Sequence, residues 1–189
     1  MKKPWNGEHM NSVIETIKDR RSIRKYDTRE VPEDVVNDLL ETLRWTPSWA
    51  NTQCWEVVWV KDKDFRDKLL EASYKGNPAN KAMVEAPVLL ALCARLNTSG
   101  FYKGEVTTKF GDWFMFDLGL ATQTLCLSAQ SHGLGTVIIG LFDHDKVRDI
   151  LFVPEGYEIV ALIPIGYPAQ KPLPPRRKEI GEFLHYNTF

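Results

Sequence analysis

Three arginines and a serine stand within five residues, at Arg20, Arg21, Ser22 and Arg24. Arginine is permanently charged and offers a planar fork of donors, so the cluster suits a phosphate group or another polyvalent anion. Ser22 can donate its hydroxyl to a phosphate oxygen while the arginines neutralise the charge. The alternative is that basic residues at a helix end offset the helix dipole, which explains one or two arginines better than three.

A second polar segment holds Pro47, Ser48, Asn51 and Gln53. Asn and Gln each combine donors with an acceptor, as the edge of a flat heterocycle with alternating C=O and N–H groups requires. A loop in which these amides cap backbone groups is an equally good interpretation of the segment by itself. The segment therefore gains its meaning from the arginine cluster that precedes it.

Two further segments carry weaker signals. Gly133, Gly135 and Gly140 would let backbone amides approach a ligand ring closely. Their spacing is not GxGxxG followed by a helix, so a Rossmann site is weakly indicated, and a helix end plus a turn is the better isolated interpretation. The basic residues at 176–178 are, taken alone, more typical of a solvated tail.

The remaining titratable residues do not form a recognisable catalytic set. The four histidines lie in no Ser/His/Asp or metal-ligand spacing, and the three cysteines form no CxxC or Cys/His pattern. Cys93 and Cys126 stand in apolar runs and are expected to be small buried residues. Asp117 is unusual in an apolar helix, and we expect an arginine partner at a helix contact because buried carboxylates are normally paired.

Length and charge narrow the class of protein. The 189 residues fit a single domain. With 24 basic and 25 acidic residues, no overall field favours nucleic acid or an anionic membrane. No signal-peptide pattern and no apolar run long enough for a membrane span is present, which favours a reducing, cytoplasmic location.

Hydrophobic periodicity gives the elements that must position these residues. It predicts helices over 11–20, 32–46, 64–73, 79–85, 112–132 and 145–151, and strands over 55–60, 88–94, 136–139 and 158–165. Residues 97–111 are polar, aromatic and glycine-containing, which predicts a loop or a mobile lid. The tail from 167 holds four prolines and either dangles or wraps another surface. Helices alternating with few strands favour an α+β or α/β fold with a mixed sheet.

The ordered motifs RRSIRKY at 20–26, PSWANTQCWEVVWV at 47–60, GLGTVIIG at 133–140, YEIVALIPIGYPA at 157–169 and PPRRK at 174–178 resemble the FMN-dependent nitroreductase family. The resemblance covers nearly the whole chain. It implies an α+β, three-layer α/β/α fold with a central mixed, mainly antiparallel sheet, in an intertwined homodimer with FMN at the subunit interface. Residues 1–189 would form one domain, with 1–10 as an extension and 167–189 as an arm around the partner.

The resemblance also implies roles for individual residues. Arg20, Arg21 and Ser22 would hold the phosphate and ribityl chain, and Arg24 would lie near flavin N1 and O2. The other implied cofactor contacts are Pro47, Ser48, Asn51 and Gln53 at the pyrimidine edge from the second subunit, Ile138, Ile139 and Gly140 near N5, and Arg176, Arg177 and Lys178 at the phosphate. Cys54 stands where the family often has proline, which puts the rigidity of that loop in question.

The implied activity is ping-pong hydride transfer from NADH or NADPH through tightly bound FMN to a nitroaromatic, quinone or other small oxidised acceptor, with no metal. The residues expected to form a lid over the acceptor are Phe101, Tyr102, Lys103, Trp113 and Phe114, with core packing as the default for the last two. The alternatives are another reaction on the same fold, such as flavin destruction or reductive dehalogenation, and a non-catalytic FMN-binding module.

Overall fold

A computed structural model describes residues 7–189, and side chains from residue 12 onwards. Its helices are α1 (Gly7–Asp19), α2 (Glu33–Leu43), α3 (Lys63–Glu71), α4 (Asn80–Glu85), α5 (Phe114–Ser131) and α6 (His144–Ile150). Its strands are β1 (Trp55–Trp59), β2 (Val88–Arg95), β3 (Phe101–Tyr102), β4 (Glu105–Val106), β5 (Gly135–Thr136) and β6 (Tyr157–Gly166). Short 3₁₀ turns occupy Trp49–Asn51 and Ile180–Glu182. All six predicted helices and all four predicted strands are present, with shifted ends.

The central sheet has the strand order β1-β2-β6-β5 and is antiparallel at every pairing of these strands. One parallel bridge, between Ser22 and Thr136, adds the segment after α1 to its β5 edge. The predicted mixed, mainly antiparallel sheet is therefore confirmed.

Strand β2 explains how the layers form. Its side chains alternate between two apolar clusters, with Leu90 and Leu92 in one and Leu89 and Ala91 in the other. Helices α2 and α5 cover the first face, while α3, α4 and α6 cover the second. Since both faces are covered, β2 is a continuous apolar run rather than an alternating one. The result is the predicted three-layer α/β/α arrangement.

Two predicted helix ends are wrong, and one predicted loop contains strands. Helix α1 starts at Gly7 and continues through Asn11 and Ser12, which were expected to cap it, because no proline or glycine interrupts the turns between them. The last residues of the proposed extension therefore belong to α1, and residues 1–6 lie outside the described chain. Helix α2 ends at Leu43, before the expected stop at Pro47, and residues 44–46 form turns. The predicted lid loop contains a small hairpin of β3 and β4.

Several large apolar side chains remain exposed. On α5, Met115 and Phe116 are 59% and 58% exposed, so only one face of this apolar helix is buried in its own chain. Every residue from 173 to 189 is exposed, including Tyr186 at 81%. No helix in the described part of the chain combines the length and apolarity needed to cross a membrane.

Candidate functional site

The arginine cluster lies on an extended segment fixed to the edge of the sheet. The Ile23 N–H donates to the Thr136 carbonyl at 2.8 Å, and the Asp27 N–H donates to the Tyr167 carbonyl at 2.9 Å. The Ala169 N–H donates back to the carbonyl of Lys25 at 3.0 Å. Backbone bonds on both sides thus set the position of the charged side chains between them.

Arg21 has a different environment from the other arginines. Its Nη1 donates to the carbonyls of Lys18 and Arg20, the latter at 2.9 Å, so its guanidinium covers the carboxyl end of α1. The helix-end alternative therefore applies to this arginine. Arg20 and Ser22 are half-buried and have no such role, which leaves them as the anion candidates.

Arg24 has a buried donor without an acceptor. Its Nη1 donates weakly to the Ser22 carbonyl at 3.4 Å, and its Nε finds no partner among the described residues. Buried polar atoms are almost always hydrogen-bonded, so this guanidinium N–H is a donor suited to an acceptor atom of a ligand. Nearby, the Tyr26 hydroxyl contacts the carbonyls of Ile23 and Pro164 at 2.7 and 3.1 Å, and burial raises its pKa well above the usual range.

The segment 47–53, the amide loop, is strained and tightly bonded. The left-handed backbone angles are φ +46° at Ala50, +54° at Asn51 and +47° at Gln53. Such angles are uncommon outside glycine and concentrate at functional sites. The Ser48 hydroxyl accepts the Gln53 N–H at 2.9 Å, and Asn51 Oδ1 accepts Gln53 Nε2 at 3.3 Å. Both amide side chains remain exposed and available to a ligand.

Thr52 is a site candidate that the sequence analysis missed. Its Oγ1 is buried between the two amide residues and has no hydrogen-bond partner among residues whose side chains the structure describes. A hydroxyl flanked by Asn and Gln in the motif was the available signal.

Asp117 does not pair with an arginine, so that prediction is wrong. Its oxygens accept the Trp49 N–H at 3.0 and 3.2 Å and the Ser99 hydroxyl at 2.7 Å. The Cys54 thiol, only 1% exposed, lies 3.8 Å from the same carboxylate. The loop that ends at Cys54 is therefore held by the carboxylate, a long-range contact that no local pattern indicates.

The glycine segment packs directly against the arginine segment. A Cβ on Gly135 would overlap the side chain of Ile23, so only glycine fits there. Ile139 exchanges backbone hydrogen bonds with Leu162 at 3.0 and 2.9 Å, so its N–H is not available to a ligand. Of Ile139 and Gly140, Gly140 therefore remains as the expected backbone N–H donor to flavin N5. Gly140 is exposed and lies beside the half-exposed side chain of Ile138. Gly133 has φ +72° and ends α5 as predicted.

Residues 99–113, which overlap the predicted loop at 97–111 and are here called the lid, contain the β3–β4 hairpin and exposed aromatic side chains. Tyr102 is 63% exposed, and the Lys103 ammonium lies 5.3 Å from its ring centroid. Phe101 is half-buried in β3. The Trp113 ring packs edge-on against the rings of Phe110 and Phe116, with centroid distances of 6.3 and 5.2 Å. Phe114, just after the lid, packs against the apolar core, which was its default interpretation.

The basic tail residues Arg176, Arg177 and Lys178 are exposed, and Arg177 Nη1 donates to the nearby carbonyl of Pro175 at 3.5 Å. A cleft of about 810 Å³ lies between the root of this arm and the arginine segment. Its lining includes Arg21, Gly133, Gly135 and residues 168–174. The tail cluster therefore begins just beyond the cleft.

The predicted site residues fall into two groups at opposite edges of the sheet. The arginine segment lies beyond β5, whereas the amide loop leads into β1. Strands are spaced by about 4.8 Å, so at least three spacings, roughly 14 Å, separate the two edges. Within one chain, the width of the sheet therefore separates the arginine segment from the amide loop.

The described residues contain no cluster of three or more His, Cys, Asp or Glu side chains arranged to hold a metal ion.

The three cysteines are buried and form no disulfide. Burial and the Asp117 carboxylate raise the pKa of Cys54 to about 12, and burial with Glu158 and Glu56 raises that of Cys93 to about 12. These thiols therefore stay protonated near neutral pH and are poor nucleophiles.

Comparisons with known proteins agree with the fold. A model of the nitroreductase family matches residues 17–167. The chain is 31% identical to an NADH dehydrogenase of Thermus thermophilus, with 84% of this chain and 87% of the relative covered. It is 29% identical to an FMN reductase [NAD(P)H] of Bacillus subtilis, over 95% of this chain and 75% of the relative. The structure of an NADPH:FMN oxidoreductase of Vibrio harveyi complexed with NAD⁺ superposes with a TM-score of 0.79 and 25% identity, covering 95% of this chain and 78% of that one.

Proposed function

The chain belongs to the nitroreductase family, and on that premise we propose that it is an FMN-dependent oxidoreductase. The reaction would pass a hydride from NADH or NADPH to a nitroaromatic, quinone or other oxidised acceptor. Two similar proteins are named for FMN and NAD(P)H, which supports the choice of cofactors. When bound, FMN supplies the hydride and electron transfer, so no acid–base triad is required.

The observation that carries the proposal is the buried Nε of Arg24, which is unpaired within the described part of the chain. An N–H in that state calls for an acceptor, and the pyrimidine edge of FMN carries carbonyl oxygens and a ring nitrogen that accept. Arg20 and Ser22 stand on the same extended segment and fit a phosphate. The chain's own groups thus fit both ends of this cofactor.

The residues would divide the work of holding the cofactor. Arg24 would hold the pyrimidine edge of the ring with a preorganised positive charge, which would favour electron acceptance by the cofactor. Asn51 and Gln53 would supply donors and acceptors to the pyrimidine edge, and the Gly140 amide would donate at the ring centre. Pro47 and Ser48 shape the amide loop, and Arg176, Arg177 and Lys178 would reinforce phosphate binding.

The active form in this proposal is a homodimer with FMN at the interface. The arginine segment and the amide loop lie at opposite edges of one sheet. A second copy of the chain would place its amide loop beside the arginine segment of the first. The exposed apolar side chains of α5 and of residues 173–189 would be buried by that partner. The arm would carry its basic residues across the interface.

The lid would select the acceptor. Its exposed Tyr102 and neighbouring Lys103 offer an aromatic face and a positive charge to a planar, electron-poor molecule. Three buried free thiols are compatible with the reducing, cytoplasmic location that we include in the proposal.

An anaerobic titration of the FMN-loaded protein tests the function. Addition of NADH or NADPH should bleach the yellow flavin absorbance, and a nitroaromatic, quinone or enone should restore it. The nicotinamide that bleaches faster identifies the preferred donor.

The other outcomes separate the alternatives. A yellow protein that neither nicotinamide bleaches would be an FMN-binding module. Flavin fragments formed with oxygen, or halide released from a halogenated phenol, would indicate a different reaction. Failure to bind FMN at all would overturn the proposal.

A further inference from the structure

Asp117 is a buried carboxylate held by neutral donors. It lies in the first turn of α5 with 0% exposure. None of the ion pairs in the described part of the chain involves it. A buried charge is costly unless hydrogen bonds compensate it, so each donor that reaches these oxygens matters for where they sit.

The first donor belongs to the amide loop. The Trp49 N–H lies 3.0 Å from Oδ1 and 3.2 Å from Oδ2 of Asp117. Trp49 immediately precedes the left-handed residues Ala50 and Asn51. A strained backbone persists only where its surroundings hold it, and this bond anchors the start of the strained turn.

The second donor belongs to the base of the lid. The Ser99 hydroxyl donates to Oδ2 at 2.7 Å, and Ser99 is itself fully buried. Its carbonyl accepts the Trp113 N–H at 3.0 Å, which closes the base of the hairpin. The next residue, Gly100, has φ +84° and no room for a side chain against Gly111 and Trp113. The lid therefore starts from a rigid point bonded to Asp117.

The third donor is the thiol of Cys54, at 3.8 Å from Oδ2. Cys54 follows the amide loop and precedes β1. Because its pKa is raised to about 12, it remains a proton donor across the physiological range. Both ends of residues 49–54 thus meet the same carboxylate that holds the lid.

We propose that Asp117 is a positioning residue that couples the amide loop to the lid, so that ordering of the loop by FMN orders the surface that receives the acceptor. This inference rests on the proposed function for the identity of the ligand, but the connection itself is a property of the chain. By reciprocity of linked equilibria, an acceptor that orders the lid would also tighten the loop on its cofactor.

The test uses hydrogen–deuterium exchange on three variants of the full chain. Ser99→Ala removes the lid donor only, and Asp117→Asn replaces one of the two accepting oxygens with an amide donor. Asp62→Asn is the matched control, because Asp62 is likewise a carboxylate that accepts backbone N–H groups, two of them at 2.7 and 3.4 Å, but it caps α3.

In the absence of FMN, Ser99→Ala should speed exchange at residues 49–53, on the other side of the carboxylate, by about fivefold. Asp117→Asn should speed exchange in both segments, and Asp62→Asn in neither. Acceleration confined to residues 99–107 in Ser99→Ala would overturn the coupling. Should that variant fail to fold, Asp117→Asn must still loosen both segments, and loosening of only one would overturn the proposal.

With FMN, the wild-type lid should exchange about fivefold more slowly than without it, and Ser99→Ala should lose that response while its FMN affinity stays within about twofold. An undiminished response in Ser99→Ala would also overturn the coupling. Absence of FMN binding in the wild type would defeat the proposed function and leave the cofactor-free measurement to decide the coupling.

Discussion

The side chain of Ile23 occupies the space in which a Cβ on Gly135 would have to lie. Ile23 is 6% exposed, and its N–H is bonded to the carbonyl of Thr136 at 2.8 Å. The backbone angle φ of Gly135 is not in the left-handed region, so glycine is needed there for space and not for conformation. This contact fixes how closely the arginine segment approaches the glycine segment.

Gly135→Ala should push the arginine segment outward and weaken FMN binding. We expect a loss of about 1–3 kcal/mol in the free energy of unfolding, typical of overpacking in a core, and a higher Kd for FMN. Urea unfolding and flavin fluorescence titration measure the two effects.

A size-compensating change provides the internal check. Ile23→Ala combined with Gly135→Ala should cost less than the sum of the two single changes, because the removed side chain makes room for the new methyl group. Strict additivity in the double variant would contradict the packing argument.

Arg20→Ala and Arg21→Ala should differ although the residues are neighbours. Arg20→Ala should weaken FMN binding by about 1.5–3 kcal/mol, the range for a hydrogen bond to a charged group. Arg21→Ala should lower the stability of α1 by about 0.3–1 kcal/mol and leave FMN affinity nearly unchanged, since its guanidinium covers helix carbonyls. Isothermal titration with FMN and thermal unfolding distinguish them. Equal losses of FMN affinity would show that both bind the anion.

Arg24→Ala should weaken the binding of reduced FMN, the electron-rich form of the cofactor. We expect a cost of about 2–4 kcal/mol, as for removal of an oxyanion-hole donor, seen as a more negative midpoint potential and slower bleaching by NAD(P)H. Arg24→Lys should recover part of the potential, because it restores charge but not the Nε–H. Arg44→Ala is the control, since Arg44 forms only an exposed pair with Glu41. Unchanged potentials in both Arg24 variants would exclude the proposed role.

Tyr102→Ala should alter acceptor use and spare the cofactor. Loss of an exposed ring that stacks on a planar acceptor should raise the acceptor KM by about tenfold at most, with FMN affinity within about twofold. Tyr74→Ala removes a comparably exposed ring, 55% against 63%, from the turn between α3 and α4 and should change neither quantity. A large loss of FMN from Tyr102→Ala would move this residue from the lid to the cofactor site.

The elements were largely predictable because their signals are local. The unbroken apolar run of β2 indicates that both faces of the strand are covered. The apolar residues at helical spacing in α2 indicate that one face of that helix is buried. The start of α1 was not predictable in this way, because Asn11 and Ser12 are good caps in isolation and nothing local excludes a longer helix. The motifs also identified the amide loop and the arginine segment as site candidates.

Partners distant in sequence could not be predicted. Asp117 was recognised as anomalous, yet its donors at Trp49 and Ser99 lie 68 and 18 residues away. Helical position alone could not distinguish these neutral donors from an arginine. Likewise the separate roles of Arg20 and Arg21 depend on where α1 ends, which differs by one residue from the prediction.

The buried thiol of Cys93 should make the protein less stable at alkaline pH. Its folded pKa of about 12 exceeds the ordinary value of 9.0, so the folded state holds the proton more tightly than the unfolded state. Its contribution is therefore fully present below pH 9 and is lost as the pH rises towards 12. Each pH unit in that window costs about 1.4 kcal/mol, or about 2 kcal/mol between pH 9 and 10.5.

Cys93→Ala and Cys93→Ser isolate this contribution in urea unfolding at pH 8 and pH 10.5. The two variants should differ from each other at pH 8, because one leaves a small cavity and the other buries a hydroxyl. Between pH 8 and pH 10.5, the free energy of unfolding should nevertheless fall by about 2 kcal/mol less in both variants than in the wild type. Neither variant has a thiol at position 93 that ionises on unfolding. Burial also raises the pKa of Tyr26 and Cys126, so a residual alkaline slope should persist in both. A wild-type slope in either variant would show that the thiol does not hold its proton more tightly in the folded protein.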